Sequence, residues 1–84
     1  MPPLRIAEVA WDEANSEHAT LRVTAAEIEQ VLFDSHTVIR RNRSGRTADY
    51  LADGRTRGGR VVRIAFVYDL ERLQARPITA WEVR

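Results

Sequence analysis

The sequence predicts a small α+β domain of order β-α-α-β-β-β-β, with two N-terminal helices packed on one face of a mainly antiparallel sheet. Three observations predict it. Helix-capping signals stand at Asp12 and Thr24, and from Thr37 onward the apolar residues alternate instead of recurring at helical spacing. Glycine punctuation at Ser44-Gly45, Asp53-Gly54 and Gly58-Gly59 divides that second half into short runs. A chain of 84 residues supports one modest core and not two, so residues 1–84 read as a single domain.

The first element is a short strand from Leu4 to Val9, with Leu4 and Ile6 on one face. Asp12 then caps a helix whose first turn carries Glu13, and Ala14, His18 and Leu21 fall at i, i+4, i+7 on one face. The second helix is signalled more sharply. Thr24-Ala25-Ala26-Glu27 fits a capping box, and Val23 and Ile28 occupy the two positions of a hydrophobic staple. This helix runs from about Ala25 to Phe33, only two residues or so beyond the first, so the pair forms a hairpin or sharp corner.

Strands follow at about Thr37 to Arg43, Asp49 to Thr56, Arg60 to Asp69 and Leu73 to Val83, most simply as a meander. The turn at Arg57-Gly58-Gly59 is the strongest hairpin signal. In the strand after it, Val62, Ile64, Phe66 and Tyr68 form an apolar face that packs on the helices. The opposite face reads Val61, Arg63, Ala65, Val67, so Arg63 projects from a central strand onto the open side. Pro77 cannot donate to a ladder, which marks an edge or a bulge in the last strand.

Charge is distributed unevenly. Residues 1–37 carry two arginines against seven acids, a balance of −5, whereas residues 38–84 carry eleven arginines against five acids, a balance of +6. All thirteen cations are arginine, and eight of them lie between Arg40 and Arg63 with only two acids. Guanidinium is the cation best matched to phosphate, because its planar fork bonds bidentately. An anionic partner is expected on the sheet.

The absence of Cys excludes disulfides and thiolate chemistry, and no apolar run approaches the length of a membrane span. Met1-Pro2-Pro3-Leu4-Arg5-Ile6 lacks the apolar stretch of a secretory signal, so a cytoplasmic protein with no membrane partner is the expectation. No P-loop, dinucleotide fingerprint or metal-ligand spacing is present, and neither a metal nor another cofactor is expected. Two readings remain open. An arginine-rich sheet can cleave RNA without metal, since the 2′-hydroxyl is itself the nucleophile and the protein supplies position, charge and proton transfer. The same sheet can equally bind a nucleic-acid backbone, or an acidic protein, without reaction. Trp11 and Trp81 are candidates for base stacking or for covering the edge of the core.

The segment Trp11-Asp12-Glu13-Ala14-Asn15 with His18, then Val23-Thr24 and the helix ending Val31-Leu32-Phe33-Asp34, resembles the N-terminal half of the BrnT family of type II toxins. Leu51-Ala52-Asp53-Gly54-Arg55-Thr56, Gly59-Arg60, the apolar strand Val61 to Tyr68, and Arg76-Pro77-Ile78-Thr79-Ala80-Trp81-Glu82 fall in the same order as that family's strands and its closing R-x-I-[ST]-A motif. The resemblance covers roughly residues 6–83. It implies a RelE-like fold, a small ribonuclease that arrests translation, and a cognate antitoxin, a small DNA-binding protein of ribbon-helix-helix type. It also implies Arg55, Arg76 and Glu82 as catalytic residues, with His18 a further candidate. Arg40, Arg41, Arg43, Arg46, Arg60 and Arg63 are the expected RNA-binding set, and Arg55, Arg63 and Arg76 are expected to converge on one groove. Two positions depart from the family pattern: Trp81 stands where a basic residue usually follows the motif, and Leu21-Arg22 where a His-Gly pair usually joins the helices.

Overall fold

The structure is a computed structural model that describes residues 4–43 and 45–83. Its elements are β1 (Glu8–Val9), α1 (Glu13–Ala19), α2 (Ala25–Phe33), β2 (Val38–Arg41), β3 (Tyr50–Arg55), β4 (Val61–Asp69) and β5 (Gln74–Glu82). The sheet order is β1-β5-β4-β3-β2; the last four strands form an antiparallel meander, and β1 adds to β5 in parallel. The α+β class and the element order match expectation, and each strand is trimmed at its ends. The first strand shrinks most, to two paired residues, while Leu4 and Ile6 pack on the core without a ladder.

Both helix starts are built as their sequences dictate. Thr24 and Glu27 cap each other reciprocally at α2, and the staple residues Val23 and Ile28 are fully buried. At α1 the reciprocal partner of Asp12 is Asn15, whose Oδ1 accepts from the Asp12 N–H at 2.7 Å. Here the expected inward face is corrected. Ala14, His18 and Leu21 are exposed, and the buried positions are Asn15 and Ala19. A polar Asn can face inward because its Nδ2 donates to the carbonyls of Ala10 and Pro77, both at 2.9 Å.

The core face of the sheet is as expected: Val62, Ile64 and Phe66 on β4 meet Ile28, Val31 and Leu32 of α2. Gly54 lies where β3 passes under α2. A Cβ there would meet the Thr37 hydroxyl and approach Val31 Cγ1 to 2.8 Å. Pro77 sits at a bulge, since Phe66 pairs with Pro77 and Ala65 with Thr79, leaving Ile78 as the extra residue. Its missing N–H faces away from β4, and its carbonyl on that side is taken by Asn15.

Candidate nucleic-acid interface

Strand register decides which arginines share a surface. The open face, opposite the helices, is read by Arg40 on β2, by Leu51, Asp53 and Arg55 on β3, and by Val61, Arg63, Ala65 and Val67 on β4. The β5 contribution is Arg76, Thr79 and Trp81. Arg41, one residue beyond Arg40, turns to the other face, where its guanidinium sits 5.3 Å from the Tyr50 ring centroid and donates to the Tyr50 hydroxyl.

At the centre of the open face Asp53 lies directly across from Arg63. Arg63 grips it bidentately, Nε to Oδ1 at 2.7 Å and Nη2 to Oδ2 at 3.0 Å, and Arg40 Nη1 adds a bond to Oδ2 at 2.9 Å. The Arg63 hydrogen bonds, and then those of Arg40, hold the Asp53 carboxyl below its usual range, and the same pairing raises Arg63. This trio keeps a net charge of +1. It borders a groove of about 330 Å³ whose walls are Arg43 and residues 46–48, with Arg46, on one side and β5, with Ile78, Thr79 and Trp81, on the other. Arg63 and Ala65 form its floor.

The expected site residues therefore separate. Arg43, Arg46 and Arg63 come together, and Arg40 adjoins them through Asp53. Arg60 lies elsewhere, holding Glu27 at 3.1 Å and Glu82 at 3.5 Å and donating to the Arg22 carbonyl. Glu82 is aligned with Val62, whose side faces the helices. The expected convergence of Arg55, Arg63 and Arg76 is corrected by register: Arg55 pairs with Val61 and Arg76 with Val67. Six residues of strand put them roughly 20 Å apart along the sheet. Arg76 is bound to Asp12, whose carboxyl is lowered by that hydrogen bond. His18 is exposed on α1 and lines a second hollow, of about 220 Å³, on the far side of Trp81 and Thr79 from Arg63.

A larger hollow, about 680 Å³, lies between α2 and the β3–β4 turn and includes Arg55 and Arg57. Its polar groups are partly committed already. Gln30 accepts the Arg57 N–H, and Glu29 accepts the Trp11 indole N–H. With Glu29 and Asp34 on its walls, its charge is mixed, which suits a polyanion less than the groove does.

Asp53, which borders the groove, carried no role in the sequence expectations, and Trp81 was a stacking candidate without a face. Asp53 was legible through the hairpin: a turn at Arg57-Gly58-Gly59 that pairs Thr56 with Arg60 also sets Asp53 opposite Arg63. The face of Trp81 was not legible, because the bulge intervenes. Among the described residues no group of three or more His, Asp or Glu is placed to hold a metal, and no helix is long and apolar enough to cross a membrane.

No protein-family profile, curated protein or solved structure matches this chain.

Proposed function

We propose that this protein binds RNA in the open-face groove and acts as a ribonuclease-type toxin of a type II toxin–antitoxin system. The observation that carries the reading is the gathering of Arg43, Arg46 and Arg63 around one groove beside Trp81, with the sequence resemblance naming the polyanion. In metal-independent cleavage the 2′-hydroxyl attacks the adjacent phosphorus, the P–O5′ bond breaks, and a 2′,3′-cyclic phosphate and a 5′-hydroxyl result. One proton leaves the 2′-oxygen and one reaches the 5′-oxygen. Arg63 supplies its Nη1 N–H groups to steady the charged phosphorane, and His18, in the hollow across Trp81, is the nominated proton carrier. Arg55, Arg76 and Glu82 lie outside the groove.

Expression without the antitoxin should stop growth, and Arg63→Ala should restore it. Purified protein should yield RNA fragments ending in cyclic phosphate. Normal growth together with intact RNA would sink the cleavage claim. The antitoxin is expected from a neighbouring gene encoding a small ribbon-helix-helix protein.

A second reading, a module that binds RNA or an acidic protein without cutting, is favoured by one observation. The carboxylate at the centre of the open face, Asp53, is committed to Arg63 and Arg40, and the nominated acid Glu82 is on the helix side, held by Arg60. Steeply salt-dependent RNA binding with no products would select it.

A further inference from the structure

We infer that the groove takes one unpaired nucleotide of a single-stranded RNA, with its base stacked on Trp81 and its phosphate on Arg63, and that Asp53 is the positioning residue for that guanidinium. The inference rests on the RNA-binding reading and makes it specific.

The two tryptophans are in different situations. Trp11 packs against the core and its indole N–H is satisfied by Glu29 at 2.7 Å. Trp81 is not part of that packing. It is half-buried on the open face, directly across the strand pair from Arg63, and it separates the groove from the His18 hollow. Directly opposed residues on paired strands stand about 5 Å apart at Cβ. An aromatic plane and a guanidinium are thus neighbours, as base and phosphate are neighbours in a nucleotide.

Asp53 fixes which edge of Arg63 is free. Nε and Nη2 are spent on the carboxylate, and Nη1, with two N–H groups, is left for a ligand. Arg40 on the same carboxylate offsets the charge that Asp53 removes, and Arg43 and Arg46 bring the groove to +3. That charge calls for a polyanion. The stacking plane selects nucleic acid over an acidic protein, and a single strand over a duplex, whose bases are already stacked inside.

The test is fluorescence anisotropy of a short labelled RNA with the full chain. Trp81→Ala should weaken single-strand binding by about five- to hundred-fold, the range set by one stacked base, while Trp81→Phe retains most of it. A duplex or an abasic strand should bind the wild type as weakly as the single strand binds Trp81→Ala. In a Trp11→Phe protein, RNA should quench the remaining indole, a readout that does not depend on Trp81→Ala folding.

Asp53→Asn gives a signed result. Removing an acid beside a polyanion should tighten binding by charge alone, whereas loss of positioning should loosen it, with circular dichroism reporting an intact fold. Tighter binding overturns the role given to Asp53. Steeply salt-dependent RNA binding that ignores Trp81, abasic sites and strandedness overturns the stacking inference and leaves the RNA reading standing. Failure to bind any RNA removes both. Equal competition by polyglutamate would mark a protein dock, and tighter binding of the same sequence as DNA would refute the choice of RNA.

Discussion

Asn15 is the residue on which the N-terminal half is hung, and Asn15→Ala tests that directly. Its Nδ2 joins the Ala10 and Pro77 carbonyls, and its Oδ1 completes the cap of α1. Alanine leaves the buried Pro77 carbonyl without a partner, at a cost of about 1–3 kcal/mol. Loss of half of the reciprocal cap adds about 0.5–1 kcal/mol. The total, about 2–4 kcal/mol, is a large part of the roughly 4–13 kcal/mol expected for 84 residues at the usual stability per residue. In urea the midpoint should fall by about 2 M at unchanged m-value. Asn15→Asp should be worse at neutral pH, since it keeps the cap acceptor but sets a carboxylate against two carbonyl oxygens. A loss under about 0.5 kcal/mol for Asn15→Ala would show that water replaces the amide and that the reasoning is wrong.

Gly54→Ala should lower the thermal midpoint markedly, costing about 1–3 kcal/mol, because its methyl must displace Thr37 or Val31 beneath α2; an unchanged midpoint would mean the helix gives way freely. Phe66→Ala, at a fully buried position of β4, should cost about 3–5 kcal/mol and show as loss of the cooperative transition or a steep fall in its midpoint. Asp53 should couple stability to acid. Its folded pKa is depressed, so its contribution is complete above the ordinary value of 3.8 and is lost as pH falls below it toward the folded value. Asp53→Asn should flatten that part of a pH-dependent unfolding curve, and an unchanged curve would show that the Arg63 pair contributes nothing.

The fold was legible because its signals are local. Thr24 and Glu27 sit in one turn, and the alternation from Val61 to Tyr68 needs only a strand with a dry side. What misled was helical spacing at α1. Ala14, His18 and Leu21 lie on one stripe, but the true inward residue is Asn15, whose polarity is compensated only by carbonyls from Ala10 and from Pro77, 62 residues away. The site was legible one strand at a time and not as a constellation. Alternation singled out Arg63 and separated Arg40 from Arg41, yet it gave no way to see that Arg55 and Arg76 lie at opposite ends of the sheet. Ion pairs across the fold, Arg60 with Glu27 and Arg76 with Asp12, likewise left no trace in spacing.

The extra residue in β5 has a consequence for how this chain tolerates insertions and deletions. On an unbroken strand, Ala75, Pro77, position 79 and position 81 would all face the helices, and the indole would be driven into the core. Ile78 resets the phase, so that Ala80 and Glu82 take the inner side and Thr79 and Trp81 emerge at the groove. Deleting Ile78 should therefore remove the bulge and leave the faces as they are, since Thr79 would follow Pro77 in regular alternation, whereas drawing Ile78 into the ladder would turn the end of the strand inside out. Loss of one residue at this position is thus tolerated by the register, and a chain one residue shorter here would keep Thr79 and Trp81 at the groove without the Ile78 side chain.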